Sequence, residues 1–217
     1  MSVTIKMMQK IMRNNNEIAS ENNTYFHEHG LRVINVMASP GAGKTSVILG
    51  LIEILREKMN VAVIEGDTAS SIDAEKVSAV GIPVVQIDSG GRCHLDAQII
   101  REAAEDLAAH DGILFIENIG NLICPSTFNL GEDLKLVIAS VPEGHDKPYK
   151  YLAMFEAADI IVLNKIDLKP YIDFDEDSFR AGIEAINTKK APLFTVSCTT
   201  KSGIAELAQY LITQNQR

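Results

Sequence analysis

Cysteine is scarce in this chain, with three residues in 217: Cys93, Cys124 and Cys198. An odd, sparse set makes no disulfide framework and fits a reducing, cytoplasmic setting. A long apolar run is also missing. Nothing approaches the roughly 18–20 residues of a spanning helix, and the first residues carry no secretory h-region. The expectation is a cytoplasmic protein without a membrane partner. Positive charge is in deficit, 20 Lys and Arg against 29 Asp and Glu, giving a net charge of −9. Binding to a nucleic-acid backbone calls for a concentrated basic face, so nucleic acid is excluded as the main partner. Internal repeats, low-complexity blocks and proline-rich linkers are absent too. What remains is an ordinary globular composition, 46% hydrophobic and 23% charged. A chain this long buries roughly 70% of its unfolded surface and needs no disulfide or metal staple.

Residues 1–30 are rich in Asn, Glu and Met. Met8, Ile11, Met12 and Ile18 recur at roughly helical spacing, which predicts an amphipathic helix or pair of helices docked on the body or on a partner. From residue 31 the pattern changes. Apolar, β-like runs occupy 32–37, 61–67, 83–88, 112–117, 134–140, 159–164 and 192–197. Helical periodicity fills Thr45–Lys58, Leu95–His110, Phe179–Asn187 and Ile204–Thr213. Near-continuous Val/Ile/Leu strands alternating with helices predict an α/β fold, a mostly parallel seven-stranded sheet flanked by helices. The expected organisation is a helical extension, 1–30, followed by one α/β domain, 31–217.

The first strand runs into Ala38-Ser39-Pro40-Gly41-Ala42-Gly43-Lys44-Thr45-Ser46, then a helix. This is the strand–loop–helix setting of a G-x-x-x-x-G-K-[ST] phosphate loop, with Ala38 in place of the first glycine. Gly41, Ala42 and Gly43 let backbone amides converge on phosphate oxygens. Lys44 reaches the β- and γ-phosphates, and the Thr45 hydroxyl suits Mg²⁺. An ordinary glycine turn before a helix is the alternative. Acids close two further strands: Asp67 in Glu65-Gly66-Asp67 and Glu117 in Glu117-Asn118-Ile119-Gly120. Strand C-termini form the ligand edge of doubly wound folds, so both are candidates to hold Mg²⁺ or its water, and the Gly120 amide is placed to sense a γ-phosphate. Asp73 is a further candidate beside Asp67 for orienting the attacking water.

Asn164-Lys165-Ile166-Asp167 ends a strongly apolar strand. Its N-K-x-D pattern suits guanine. Asp167 accepts from N1–H and the 2-amino group, whereas adenine presents a bare acceptor and loses both bonds. Asn164 buttresses base and loop, and the Lys165 stem lies along the base. Ser197 and Cys198 occupy the place of the last base-contacting loop. These residues indicate GTP; an ATP-dependent kinase or ligase is the reading N-K-I-D argues against.

Cys93 and His94 sit in a glycine-rich loop opening a helix, and Cys124 lies seven residues beyond Glu117. Free cysteines are often buried small hydrophobes. Here both segments leave the nucleotide edge, and two thiolates with an imidazole suit Zn²⁺ or Ni²⁺. Three ligands leave a tetrahedron open to water or to a residue from a second protomer. A dimer of two such half-sites would put metal at the interface and couple it to Gly120. His27 and His29 read as solvated or helix-end residues and His110 as a helix-terminal cation. His145, Lys147 and Lys150 lie in a turn-rich loop near a possible interface, where the lysines are surface residues or reach nucleotide across a dimer.

Taken together, S-P-G-x-G-K-T, E-G-D, G-G-x-C-H-L-D, E-N-I-G-N-L-I-C-P, P-E-G-x-D-K-P-x-K-Y and N-K-I-D resemble the HypB family within the SIMIBI class of P-loop GTPases. The resemblance covers about residues 31–215. It implies a P-loop NTPase fold and a GTP-hydrolysing metallochaperone that dimerises with GTP. Its implied task is delivery of Ni²⁺, through a hydrogenase maturation partner, to the large subunit of [NiFe]-hydrogenase. It also implies an interface metal site at Cys93, His94 and Cys124, and nucleotide and Mg²⁺ contacts at Lys44, Thr45, Asp67, Glu117, Asn164 and Asp167. Some members carry an N-terminal C-x-x-C-G-C motif or a His-rich stretch. No cysteine precedes Cys93 here, so the interface site is expected to carry any metal transfer. Alternatives are service to another nickel enzyme such as urease, or a regulatory GTPase without metal. Arg92 lies near the right loop, but its neighbour Cys93 explains that loop equally well, and no arginine finger is assigned.

Overall fold

Seven apolar runs become seven strands of one sheet, the central ones buried on both faces and the edge strands half-buried. In the computed structural model, which describes residues 2–67 and 77–215 (the side chains of 2–9, 67 and 215 excepted), these are β1 Leu31–Ala38, β2 Asn60–Asp67, β3 Val84–Asp88, β4 Gly112–Glu117, β5 Leu134–Ser140, β6 Ile160–Asn164 and β7 Leu193–Thr195. Their order is β3-β2-β4-β1-β5-β6-β7. Every neighbouring pair is parallel, a stricter arrangement than the mostly parallel sheet expected. Parallel strands need crossovers, and helices supply several of them: α2 Lys44–Leu55 between β1 and β2, α3 Ala97–Leu107 between β3 and β4, α4 Lys147–Lys150 and α5 Leu152–Ala157 between β5 and β6, and α6 Glu176–Ile186 between β6 and β7, while α1 Ser2–Glu28 precedes the sheet and α7 Ile204–Asn215 follows it. None of the described helices is long and apolar enough to cross a membrane.

The period-two alternation of strands assigns side chains to the two faces. Phe115 and Ile113 of β4 join Ile48 and Leu51 of α2 and Leu207 of α7 in one cluster. Leu114 and Ile116 of the same strand point to the other side, against Ile100 and Ala104 of α3 and Phe26 of α1. A third cluster, with Phe155 of α5 and Phe179 of α6, covers the β5–β7 half. Each fully buried Leu, Ile or Phe side chain contributes about 1.5–3 kcal/mol relative to exposure.

The N-terminal segment departs from the apolar stripe read in the sequence. It forms one helix, and Ile11 of the expected stripe is 51% exposed. Among the described side chains of α1, the buried positions are Asn15, Ala19, Asn22 and Phe26. Their spacing of four, three and four is helical, but two of the four are amides whose hydrogen bonds make burial tolerable. Two further readings change. His110 stands beyond the end of α3, stacked on His29 at 5.2 Å rather than capping the helix. The segment read as a plain turn-rich loop around Pro148 contains α4, with α5 directly after it.

Candidate nucleotide and metal site

At the C-terminal edge of β1 the chain turns through two left-handed glycines, Gly41 at φ +75° and Gly43 at φ +100°. Gly43 is the N-cap of α2, so Lys44 and Thr45 open the helix with free backbone amides facing the turn. A Cβ on Gly43 would stand 2.5 Å from the Asn164 amide nitrogen. Only glycine satisfies both the backbone angle and that contact. Asn164 Nδ2 donates to Ala42 O at 2.9 Å, and Lys165 Nζ donates to Gly41 O at 2.6 Å. The Asn164–Asp167 loop is thus tied to the glycine loop after β1. The Lys165 ammonium spans this junction, a role its sequence reading as a stem along the base did not contain. Ser46 is exposed on the first turn of α2.

Asp167 is half-buried and accepts from the Ser197 hydroxyl at 2.6 Å. Thr200 N–H donates to the same Ser197 oxygen at 3.2 Å, which fixes the hydroxyl's direction. Cys198 lies half-buried beside Asn164, its Sγ 3.6 Å from Oδ1. Burial first, then the Asp167 charge, pushes its thiol above the ordinary range. β7 ends at Thr195, so Ser197 and Cys198 belong to the loop after the strand, closed by Ser197 N–H donating to Ser202 O at 3.0 Å.

The two acids expected at strand ends divide. Glu117 is 2% exposed and accepts from the Thr45 hydroxyl at 2.9 Å. A hydroxyl and a carboxylate converging in a buried setting form a hard-oxygen donor set of the kind Mg²⁺ takes. Asp67 ends β2, opposite Asp88 in the sheet register. Its side chain, and Asp73 entirely, lie outside the described residues. Glu65, the register partner of Glu117, is also 2% exposed; it was not singled out in the sequence because only strand position, not burial, is legible there. Lys147 reads in the sequence as a surface residue or as one reaching nucleotide across a dimer. It reaches the phosphate loop of its own chain, Nζ 3.4 Å from Ser39 Oγ, and lies over the Tyr151 ring at 4.8 Å. Lys150 pairs with Asp146 on the surface instead.

Gly120 touches the phosphate loop directly. A Cβ there would meet Pro40 Cα, Cγ and N, each at 3.1 Å. Asn118, two residues before it, is fully buried and donates to Asn35 Oδ1 of β1 at 3.1 Å. The chain then runs through Asn121 to Cys124. Asn121 holds both sides of the cysteine cluster: its Nδ2 donates to Cys93 O at 3.3 Å, and its Oδ1 accepts from Ile123 N at 2.8 Å.

Cys93, His94 and Cys124 meet at that point, with ligand atoms all within 4.8 Å of one another. Cys93 Sγ lies 3.0 Å from Cys124 Sγ and 3.5 Å from His94 Nδ1. Cys93 is exposed and Cys124 half-buried. His94 stacks on Phe128 at 3.8 Å between centroids. Burial holds its imidazole below the ordinary value; Asp96 opposes this and Arg92 adds to it. Leu95, 2% exposed, is the anchor of the loop and packs against Gly66 of β2. Phe128 and Asn121 carry no signal in the sequence, because an isolated aromatic or amide has no ligand chemistry of its own. The donor set is soft, compact and open on one side, which fits one Zn²⁺ or Ni²⁺ ion with a position left for a further ligand.

Comparison with known proteins gives a consistent picture. Residues 32–194 match the family described as CobW/HypB/UreG, nucleotide-binding domain. The chain is 42% identical over 208 residues to the hydrogenase maturation factor HypB of Rhizobium leguminosarum bv. viciae, covering 95% of this chain and 69% of that one. Among solved structures, HypB from Archaeoglobus fulgidus superposes with a TM-score of 0.87 at 34% identity, covering 94% of this chain and 99% of that one. HypB from Helicobacter pylori in complex with nickel gives 0.88 at 33% identity, covering 94% and 95%.

Proposed function

The chain belongs to the HypB family of SIMIBI-class P-loop GTPases involved in hydrogenase maturation, and from that premise we propose that it couples GTP hydrolysis to nickel handling at Cys93, His94 and Cys124. Family membership makes it a GTP-dependent maturation factor for hydrogenase-type nickel enzymes. One observation carries the finer reading: the cysteine–histidine cluster is built on the segment that begins with Glu117 and passes through Gly120, which touches Pro40 of the phosphate loop.

In the hydrolytic step a water attacks the γ-phosphorus of GTP, the bond to the β–γ bridging oxygen breaks, and GDP and phosphate leave. Lys44 and the loop amides of Gly41, Ala42 and Gly43 hold the phosphates and offset charge developing on the leaving oxygen. Thr45 and Glu117, with Asp67, would hold Mg²⁺, which when bound would supply positive charge to the phosphates. Asp67 or Asp73 orients the water. Asn164, Lys165, Asp167, Ser197 and Cys198 surround the guanine, and Ser46 extends the phosphate cradle. Without an arginine finger, turnover is slow. The γ-phosphate draws on the Gly120 amide, and the displacement reaches Cys124 through the three residues between them.

Nickel or zinc is cargo in this scheme. The cluster offers three ligands, and a GTP-dependent homodimer supplies the next from a second protomer or closes the site around water. A hydrogenase maturation partner exchanges the ion, and the hydrogenase large subunit is the final recipient. The same proposal includes a cytoplasmic setting and a division into a helical extension, residues 1–30, and a GTPase domain, residues 31–217.

Chelator competition at about pH 6.5 and about pH 8.5 tests the metal assignment. The Cys124 thiol is pushed above its ordinary value, first by the hydrogen bond with Cys93, then by burial. Metal must displace that proton, so affinity falls as pH drops further below the thiol pKa. The His94 imidazole sits below its ordinary value and adds little slope over this range. Ni²⁺ or Zn²⁺ affinity is expected to rise by about tenfold per pH unit for each proton released. Absent or pH-independent binding would contradict the assignment.

A further inference from the structure

The cluster's two limbs leave it in different directions, and α1 takes hold of both. One limb runs from His94 through Asp96, whose carboxylate caps α3 by accepting from Ile99 N–H at 3.0 Å, into Ala97. The other runs from Cys124 through Phe128 into Asn129, Leu130 and Gly131. Asn15 of α1 is 6% exposed, and its side chain bridges them: Oδ1 accepts from Ala97 N–H at 2.9 Å and Nδ2 donates to Asn129 O at 2.8 Å. Asn22, two turns on and fully buried, repeats the bridge. Its Nδ2 donates to Ala97 O at 2.7 Å and to Leu130 O at 3.0 Å.

The approach is close. A Cβ on Gly131, which has φ +96°, would stand 2.6 Å from Asn22 Cβ and 2.7 Å from Ala19 O. Asn23 adds a bond to Gly131 O at 3.1 Å, and His27 a contact with Asp133 at 2.7 Å.

Backbone groups in the interior of α1 are engaged within the helix, so these side-chain amides are the polar groups through which α1 bridges the limbs, alongside the Asn121 bond to Cys93 O nearer the sulfurs. Asn22 Oδ1 has no partner among the described residues. An apolar side chain there would avoid burying that oxygen, so simple packing does not account for the asparagine; its two donated bonds do.

We infer that Asn15 and Asn22 are positioning residues: α1 staples the Ala97 and Asn129–Leu130 limbs together and so sets the separation of Cys93 and His94 from Cys124. The consequence for metal rests on the reading given under Proposed function; the consequence for thiol geometry does not.

The test uses the full chain carrying Asn15→Ala, Asn22→Ala or Asn15→Asp. The aspartate keeps the acceptor for Ala97 N–H and removes the donor to Asn129 O. Three quantities are read at a temperature where thermal melts show each variant folded. The first is the rate of Cys93–Cys124 disulfide formation in chelator-treated protein with a diazene oxidant. In that reaction both thiols give up protons, one S–S bond forms, and two electrons reduce the diazene to a hydrazine. The others are Zn²⁺ affinity and GDP affinity.

Each alanine variant is expected to slow disulfide formation and weaken Zn²⁺ binding by about tenfold, the low end of losses seen when outer partners of a metal site are removed. Asn15→Asp should fall between them and the parent, and GDP affinity should stay within about twofold throughout. A purely structural role would lower the melting temperature without moving the other readouts. Folded variants with parental disulfide rate and Zn²⁺ affinity would overturn the inference. If the parent binds no Zn²⁺ yet the variants cross-link slowly, the metal reading fails and the staple stands.

Discussion

Asp167→Asn is expected to lower GTP affinity by a hundredfold to ten-thousandfold while leaving metal binding by the nucleotide-free protein unchanged. The carboxylate accepts from the Ser197 hydroxyl at 2.6 Å through Oδ1 and is half-buried, so it keeps acceptor capacity for a ligand. Two charge-assisted bonds from guanine N1–H and the 2-amino group contribute about 1.5–3 kcal/mol each, roughly 3–6 kcal/mol in all. An amide of the same shape turns one acceptor into a donor and faces the 2-amino group with its NH2. Competition of fluorescent GDP by GTP, ATP and xanthosine triphosphate is the measurement. Xanthine carries a carbonyl where guanine has the amino group, so it should gain affinity in the variant. Unchanged GTP preference would remove Asp167 from the base site and reopen the ATP-dependent alternative.

Cys93→Ala/Cys124→Ala should do the reverse. It leaves GTP binding within about twofold and removes the two thiolates of a three-ligand set. Zinc sites with four ligands have apparent binding energies of about 10–16 kcal/mol, so losing two ligands here should cost at least about 4 kcal/mol, a thousandfold. Both side chains lie toward the exposed end of the site, so the double variant should fold normally, which a thermal melt checks. Metal affinity retained at the parental level would mean that these cysteines merely pack the loop.

The two variants separate two sites that the fold places side by side, and the sequence foreshadowed them unevenly. The strands were legible because a parallel sheet covered on both faces leaves an unbroken apolar run, as in Gly112–Glu117 and Ile160–Asn164. The phosphate loop and N-K-I-D were legible because each needs fixed residue types at fixed spacing. Cys93, His94 and Cys124 stood out by chemistry, but nothing in their spacing gave the 3.0 Å approach of the two sulfurs. Next to the sulfurs Asn121 ties Cys93 O to its own limb, and farther out Asn15 and Asn22 of α1 bridge the same two limbs.

The first helix was read from its apolar residues, and the stripe was displaced for a physical reason. Burial there is governed by hydrogen bonds from Asn15 and Asn22 to backbone more than seventy residues away in sequence. Periodicity scales score asparagine as polar and cannot see a distant partner. Lys147 was legible as a surface or cross-dimer lysine, but its contact with Ser39 of its own chain was not, because only the folded chain brings the two together. Long-range polar contacts are the part of a site that local pattern leaves out.

The central claim is that nucleotide state and metal affinity are coupled through the chain between Gly120 and Cys124. The most direct measurement is Ni²⁺ and Zn²⁺ titration of the protein in its nucleotide-free, GDP-bound and non-hydrolysable GTP-analogue-bound forms, with oligomeric state measured on the same samples. The account predicts affinities that differ between the GDP and GTP-analogue forms by about five- to 150-fold, the usual range of coupling between two sites, with dimer in the analogue-bound form. Equal metal affinities in the two forms would contradict it.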